Sequence, residues 1–415
     1  MINIIDYLFG ICHFFLKDQV NLTYSIKFTR SPGLDDLAVE IEKKIPHLNL
    51  FFKRLMAPYL RFENLSDDVD LRNISPSDDF KYFNLDLVNY QFIRLDYLTD
   101  DNSSEFVFTI SHVIGDGISA VALAYYLLNS YDLDAIFSHV NYSQMRANSI
   151  KFLKETSFHK SHFSQIIKYV TIKKSKGVGK HLDLKNYDKK SISVPDGIRI
   201  EIKSSIVKEN AKKYGITREK FLMLKLAETI LRFYSNREFD ECALSHTQNL
   251  RLNRISLIDE EIGNYSGRMV WRFKKETDLL FRDFVNRHSD KLDGTSNLPA
   301  LLQEWVSLQN INRIPRALFI WIVKKMVNIS KFTATYTYMP MRASILTPNT
   351  FLEKMDTSLM DYAIYLRVIK GHLPYFMFFQ GPLGDYTMLF TFNHAFMERS
   401  QAELLVGLYQ ELVNN

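Results

Sequence analysis

FVFTISHVIGDGISAVALAYYLL, residues 106–128, is the stretch around which the chain is organised. Residues 106–111 are mostly β-branched or aromatic, which favours a β-strand. After a polar corner, apolar residues recur at helical spacing, which predicts a helix. Asp116 is a good N-cap for that helix, and glycines beside it permit backbone angles that other residues resist. The corner therefore places His112 at a strand end, aimed by a tight strand-to-helix turn.

A histidine aimed by such a corner can act as a general base in a reaction in which an acceptor loses a proton as it attacks. Imidazole titrates near neutral pH, so it can take that proton and return it to a leaving group. His112 is therefore the predicted general base, and a structural histidine at a strand end is the alternative. The sequence has no GxSxG nucleophile motif, so a covalent intermediate on a serine is not indicated.

The corner carries the pattern His-x-x-x-Asp-Gly at His112, Asp116 and Gly117. This pattern resembles the HxxxDG motif of the thioester-dependent acyltransferase superfamily, which includes chloramphenicol acetyltransferase, alcohol acetyltransferases, plant BAHD enzymes and condensation domains. The resemblance implies an α/β fold, namely a two-lobed pseudo-dimer of chloramphenicol acetyltransferase-like domains with a mixed sheet in each lobe. It also implies that Asp116 points away from the site and pairs with an arginine.

Softer matches lie on both sides of the corner. The resemblance implies a helix over 31–45 followed by a strand that begins near Pro46. In the second half, SHTQNLRLNR is similar to the V-N-L-R-x-R strand of the family, which makes Arg251 the predicted partner of Asp116 and Arg254 the second choice.

The tetrahedral intermediate of acyl transfer needs a hydrogen-bond donor for its oxyanion. The segment IGNYSG is similar to the family's G-N-x-x-G segment, and FTATYTYMP is a predicted strand where the family has a lobe-interface strand. The candidates for the oxyanion donor or the tunnel wall are Thr337, Thr335, Asn264 and Ser266, and the sequence does not choose among them.

The end of the chain repeats the corner. Residues 390–402 align without a gap under residues 108–120, with His394, Glu398 and Arg399 in the places of the histidine, aspartate and glycine of the motif. Two strand–corner–helix units at opposite ends of one chain predict two similar lobes. In the E2 acyltransferases, which belong to the same superfamily, the C-terminal copy of the corner is the catalytic one. His394 is therefore the reserve candidate for the general base.

The charge of the chain is concentrated in one segment. Residues 173–190 contain seven of the lysines and only two acidic residues, while the net charge of the whole chain is +5. The predicted organisation is an N-terminal lobe over 1–175, a Lys-rich crossover linker over 176–196 and a C-terminal lobe over 197–415. Within this region, Lys173, Lys174 and Lys176 are candidates for binding the phosphate of the donor, and a solvated loop is the alternative.

The composition excludes several classes of protein. A chain that is nearly neutral outside this segment argues against a nucleic-acid-binding surface. Two cysteines provide neither a disulfide framework nor a zinc cluster and fit a reducing cytoplasm. No stretch is long and apolar enough to cross a membrane. We expect no metal and no permanently bound cofactor.

The sequence therefore predicts a cytoplasmic acyltransferase with His112 in a tunnel between two lobes. The donor would be an acyl-CoA or an acyl group on a phosphopantetheine carrier protein, and the acceptor a hydroxyl of a hydrophobic natural product or lipid. An amide-forming condensation enzyme is the first alternative, and a non-catalytic module that binds a carrier protein is the second. The intact corner favours an enzyme.

Overall fold

A computed structural model describes most of the chain. The described residues are 21–29, 33–57, 85–128, 132–138, 140, 142–156, 195–234, 241–252, 262–274, 280–292, 298–299, 301–303, 305–306, 333–339, 361–366, 374–380, 385–393 and 397–415.

A four-stranded sheet contains the HxxxDG corner at the end of one of its strands. Its spatial order is β2-β3-β1-β8, and all three neighbouring pairs are antiparallel. The strands are β1 (Asn21–Thr29), β2 (Ile93–Thr99), β3 (Ser103–Ser111) and β8 (Asp361–Leu366). The described part of this sheet thus differs from the predicted mixed sheet. A tight turn joins β2 to β3, in which Asp100 accepts hydrogen bonds from Asn102 and Ser103, and such turns connect antiparallel strands.

A six-stranded sheet forms the second layer and is mixed, as predicted. Its order is β4-β10-β9-β7-β5-β6, with parallel pairs between β5 and β7 and between β7 and β9. The strands are β4 (Pro195–Ile202), β5 (Glu241–Asn249), β6 (Ser266–Lys274), β7 (Ala334–Met339), β9 (Tyr375–Gln380) and β10 (Tyr386–Asn393). β4 begins inside the predicted linker of 176–196. The lobe boundaries themselves remain a prediction.

One strand crosses between the two halves of the sequence. β8 comes from the part of the chain predicted to form the C-terminal lobe, yet it pairs with β1. Its sheet therefore requires chain from both ends of the protein, so the two halves depend on each other.

Helices cover the sheets and contribute to three hydrophobic clusters in the described part of the chain. They are α1 (Leu34–Met56), α2 (Gly117–Leu128), α3 (Leu133–Ser138), α4 (Tyr142–Glu155), α5 (Ser204–Lys213), α6 (Arg218–Phe233), α7 (Phe281–His288), a 3₁₀ turn (Asp290–Leu292) and α8 (Arg399–Asn414). α1 and α2 pack on the four-stranded sheet, and α6 and α8 pack on the six-stranded sheet.

The first helix is longer than the resemblance implied. α1 continues through Pro46 to Met56, where a strand was expected, so this expectation was wrong. Its apolar stripe continues past the proline, because Leu48, Phe52 and Met56 are buried together with the residues of the first turns. Burial of this stripe outweighs the backbone hydrogen bond that a proline removes.

The strand ends and the helix starts of the internal repeat correspond in the two copies. β3 ends at Ser111 and α2 starts at Gly117, while β10 ends at Asn393 and α8 starts at Arg399. These boundaries coincide in the ungapped alignment. Glu398 is the N-cap of α8 and forms a capping box with Gln401, in the positions of Asp116 and Ser119. The repeat therefore preserves a helix cap while the surrounding residues change.

Candidate active site

His112 is the first residue after β3, at the start of the turn that leads into α2. The residues that follow it, Val113, Ile114 and Gly115, are buried, whereas His112 retains part of its surface. Asp116 caps α2, since its Oδ1 accepts a hydrogen bond from the Ser119 amide at 3.0 Å. The strand and the capped helix together fix the position of His112 at the start of this turn.

Asp116 is joined to Arg251 across the fold. Arg251 Nη1 donates to Asp116 Oδ2 at 2.9 Å, and Nη2 donates to Oδ1 at 3.1 Å. Arg251 is 3% exposed and Asp116 is 5% exposed, so water screens this bidentate pair little. The Arg251 guanidinium also lies over the ring of Tyr265, 4.7 Å from its centre. Asp116 is thus turned toward Arg251, as the resemblance implied, and Arg254 lies outside the described residues.

Ser119 and Gly263 complete this junction. We call the four residues Asp116, Ser119, Arg251 and Gly263 the clasp. The Ser119 hydroxyl accepts from the Gly263 amide at 2.9 Å and from Arg251 at 2.9 Å, and it donates to the Gly263 carbonyl at 2.7 Å. Asp116 Oδ2 also accepts from the Tyr265 amide at 2.9 Å. The clasp therefore joins the start of α2 to the segment between β5 and β6 through several short, buried hydrogen bonds.

The charge of Asp116 is stabilised by these contacts. Burial by itself raises the pKa of the Asp116 carboxyl, but the Arg251 charge and hydrogen bonds from Arg251, Ser119 and Tyr265 outweigh burial and lower the pKa below its ordinary value. Asp116 is consequently a carboxylate at neutral pH, already committed to the clasp. It is not available as the partner of His112 in a catalytic dyad.

Asn264 connects the clasp to His112. Its side-chain amide donates to the His112 carbonyl at 2.8 Å. Burial lowers the pKa of His112, while hydrogen bonding with its own carbonyl, the charge of Asp116 and the Asn264 side chain act in the opposite direction. The net direction is downward, so the imidazole is mainly neutral at neutral pH, the form that accepts a proton.

The other predicted site residues are distributed around the six-stranded sheet. Thr337 is buried near the end of β7, where its hydroxyl is 2.5 Å from the Tyr375 hydroxyl. Ser266 starts β6 opposite Asn249 and is half-buried. The structure brings Asn264, but neither of these hydroxyls, into hydrogen-bond contact with His112. Lys173, Lys174, Lys176 and His394 lie outside the described residues.

The sequence did not indicate that Ser119 and Gly263 belong to the clasp, or that Tyr265 and Asn249 contact it. Ser119 lies in an otherwise largely apolar helix, and Gly263 and Tyr265 contribute backbone groups. Asn249 belongs to the SHTQNLRLNR motif, and its Oδ1 accepts from the Arg251 amide at 2.9 Å. Three positions after the motif aspartate, a serine can reach back to the cap, and this spacing was the available signal for Ser119.

Comparison with known proteins shows similarity in structure but not in sequence. No protein-family model and no curated protein matches the sequence. The trichothecene 15-O-acetyltransferase TRI3 of Fusarium sporotrichioides superposes with a TM-score of 0.58 at 9% identity, covering 100% of this chain and 94% of that chain. The condensation domain of the monacolin K polyketide synthase MokA gives 0.54 at 10% identity, covering 95% and 91%.

The SgcC5 protein of Streptomyces globisporus gives a TM-score of 0.53 at 10% identity, covering 100% of this chain and 98% of that chain. The chain has the condensation-domain fold. It is the two-lobed α/β architecture, with one sheet in each lobe, that condensation domains share with chloramphenicol acetyltransferase-like proteins. The resemblance drawn from the HxxxDG corner is thereby confirmed at the level of the fold.

Within the described ranges, no helix combines the length and the apolar character needed to span a membrane.

Proposed function

We propose that this protein is an acyltransferase that moves an acyl group from a thioester to a hydroxyl of a hydrophobic acceptor, with His112 as the general base. The observation that carries the proposal is the state of the corner. His112 is partly accessible and its pKa is lowered, while the neighbouring carboxylate of Asp116 is committed to Arg251. A condensation-like fold that only bound a carrier protein would not need a base in this state.

The reaction requires no further protein nucleophile. The acceptor hydroxyl attacks the thioester carbonyl while His112 takes its proton, which gives a tetrahedral intermediate. When that intermediate collapses, the carbon–sulfur bond breaks and the imidazolium returns the proton to the thiolate. The products are an ester and a free thiol.

The activity of one structural relative favours ester formation over amide formation. TRI3 is described as a 15-O-acetyltransferase, so its acceptor atom is an oxygen, and the present chain covers nearly all of that protein. The amide-forming alternative rests on the similarity to condensation domains. Parallel assays with matched alcohols and amines separate the two.

Release of free thiol tests the proposal directly. The full chain is incubated with a panel of acyl-CoAs and acyl-carrier proteins, each with long-chain alcohols or the corresponding amines, and thiol is followed colorimetrically. We expect acceptor-dependent thiol release that is faster with alcohols. Faster release with amines would favour the condensation alternative, and no release with any donor would favour the non-catalytic module.

We further propose that the Lys-rich segment binds the acyl donor. Lys173, Lys174 and Lys176 concentrate positive charge in the sequence around the start of the predicted crossover linker, and the phosphates of CoA or an acidic carrier protein are attracted to such charge. Changing all three to Glu should raise KM for the donor and weaken the dependence of that KM on salt, because exposed charges are screened by ions. KM for the acceptor should not change. If KM for the donor is unaffected, the segment does not bind the donor.

A further inference from the structure

Four hydroxyl side chains form a row across adjacent strands of the six-stranded sheet. In the strand register, Ser245 of β5 lies opposite Thr335 of β7, Thr335 opposite Tyr375 of β9, and Tyr375 opposite Thr391 of β10. Because neighbouring strands are about 4.8 Å apart, the row extends over about 14 Å. We call these four residues the hydroxyl row.

Three members of the row have buried hydroxyls without a hydrogen-bond partner. The hydroxyl oxygens of Ser245, Thr335 and Thr391 make no hydrogen bond in the structure, and the three residues are 0%, 1% and 1% exposed. Native proteins rarely leave buried polar side chains unpaired, and each such group calls for a physical explanation. Three of them in one row on one sheet face call for a shared explanation.

Strand preference does not explain the row. Threonine is β-branched and suits a strand, but valine has the same shape and the same preference without a hydroxyl that must be paired. On β9 and β10 the positions next to the row are apolar. The next row along the strands contains Tyr336, Phe376 and Phe390, which point to the opposite face and lie in the core. Two residues along on the same face, Met377 lies opposite Leu389.

From these observations we infer that the hydroxyl row is a binding strip for an uncharged, oxygen-rich segment of a ligand. A hydroxyl both donates and accepts a hydrogen bond, so a row of hydroxyls suits hydroxyl, ether, carbonyl or amide groups. All four side chains of the row are uncharged, so it offers no ion pair to a phosphate or carboxylate. A ligand lying across the strands would give each orphaned hydroxyl a partner.

Tyr375 is the most exposed member of the row. It is half-buried, and its hydroxyl is 2.5 Å from that of Thr337, one of the candidates for the oxyanion donor or the tunnel wall. The other three members are at most 1% exposed, so contact with a ligand requires that the side chains packed over them be displaced. The inference rests on the proposed function for the source of the ligand, which is either the acyl acceptor or the amide-bearing arm of the thioester donor.

Two probes of equal chain length test the strip without requiring turnover. Diethylene glycol monomethyl ether carries ether oxygens where 1-heptanol carries methylenes, and both are primary alcohols. Their binding to the full chain is measured by ligand-observed NMR. The solubilities of the two alcohols in water predict a ratio of their affinities for an apolar surface. We expect the affinity of the ether for the wild type, relative to that of 1-heptanol, to exceed this predicted ratio. The variant Ser245→Ala/Thr335→Val/Thr391→Val should weaken ether binding by about tenfold, the loss of one or two hydrogen bonds, without weakening 1-heptanol binding.

Binding of coenzyme A is measured in a second arm of the experiment. This arm distinguishes the two sources of the ligand, the acyl acceptor and the amide-bearing arm of the donor. Weaker binding of the ether alone assigns the strip to the acceptor, and weaker binding of coenzyme A alone assigns it to the donor arm. Unchanged binding of both probes by the triple variant overturns the inference and makes the row structural. If binding changes as expected but no acyl-CoA or acyl-carrier protein of the panel is turned over with any acceptor, the proposed function fails while the strip stands.

A matched control separates binding from stability. Ser104, at the start of β3, also has a buried hydroxyl without a partner, and it lies in the other sheet. Ser104→Ala and the triple variant should both raise Tm or leave it unchanged, because each removes orphaned hydroxyls. Only the triple variant should change probe binding. The single variant Thr335→Val repeats the test if the triple variant fails to fold.

Discussion

A neutral imidazole accepts a proton and an imidazolium does not, so burial that lowers the pKa of His112 keeps it available as a base near neutral pH. A general base contributes about a hundred- to ten-thousand-fold to a rate. His112→Ala should therefore reduce acyl transfer by at least about a hundredfold with little change in Tm, because a partly exposed imidazole adds little to the core.

Turnover and melting curves of His112→Ala and His394→Ala, measured with one thioester, check this expectation. His394 occupies the equivalent position in the second corner of the sequence, and its loss should affect stability more than rate. The opposite pattern, with normal turnover in His112→Ala and none in His394→Ala, would make the second corner the active one.

Asn264 should determine how His112 titrates. Its amide holds the His112 carbonyl, and its side chain raises the pKa of the imidazole against the effect of burial. Removing it should lower the pKa further, so the acidic limb of the pH–rate profile should move to lower pH in Asn264→Ala. We also expect kcat to fall about tenfold or more, since the imidazole loses part of its positioning.

Asn249→Ala is the matched control for this pH profile. Asn249 accepts hydrogen bonds from Arg251, and none of its described contacts is with His112. Its loss should lower Tm through the clasp while the acidic limb stays where the wild type has it. An acidic limb that does not move in Asn264→Ala contradicts the positioning role and leaves Asn264 free to be an oxyanion donor.

At the scale of single elements, the strand–corner–helix unit could be predicted because each part has its own local signal. Strand-forming residues lead into a cap and an apolar helix, and the ungapped repeat reproduced both boundaries of each copy. The turn between α5 and α6 carries comparable local signals, because Gly215 adopts a positive φ of 68° after α5 and Thr217 caps α6. The strand expected to begin near Pro46 was wrong, because tertiary burial of the apolar stripe of α1 overrode the local signal of the proline.

Gly115 tests how tightly the corner is packed. A Cβ at Gly115 would lie 2.7 Å from the Ser119 Cβ, and Ser119 is held by its hydrogen bonds to Arg251 and Gly263. Because neither side can yield freely, Gly115→Ala should destabilise the protein by about 1–3 kcal/mol and reduce activity. Denaturant unfolding and turnover are the measurements.

Gly407 provides the opposite case for the same substitution. It lies within α8, and an added Cβ would meet nothing within 4 Å. Gly407→Ala should stabilise the helix by about 0.5–1 kcal/mol and leave turnover unchanged. Equal effects of the two substitutions would mean that the corner is not constrained by Ser119.

At the scale of the whole molecule, the sequence predicted two similar lobes but not how they are joined. Short-range patterns carry no information about partners 100 or more residues away, and β8 pairs with β1 across most of the chain. The Asp116–Arg251 pair was available only through the family resemblance. The contributions of Gly263 and Tyr265 are backbone hydrogen bonds, which do not depend on the identity of a side chain and so leave little trace in one sequence.

The clasp should contribute to the stability of the whole fold. Asp116 belongs to the half with the four-stranded sheet and Arg251 follows β5 of the six-stranded sheet, so breaking their pair weakens the junction and leaves Arg251 buried without its counter-charge. Asp116→Asn should lower the free energy of unfolding by about 3–5 kcal/mol, and activity should fall with it. Unchanged Tm with complete loss of turnover would instead make Asp116 a direct partner of His112.

The pH dependence of this loss identifies its cause. The folded pKa of Asp116 is lowered, so the carboxylate contributes stability above the unfolded pKa of about 3.9, and that contribution is lost as pH falls through the folded value. The difference in stability between wild type and Asp116→Asn should therefore be full at neutral pH and shrink below about pH 4.

Asp196 is the matched control, since it accepts two hydrogen bonds from Arg399 in a partly exposed pair at the second corner. Asp196→Asn should cost about 0–1 kcal/mol at neutral pH, because water screens such a pair. A cost for Asp196→Asn as large as that for Asp116→Asn would show that burial across the junction is not what makes the clasp strong.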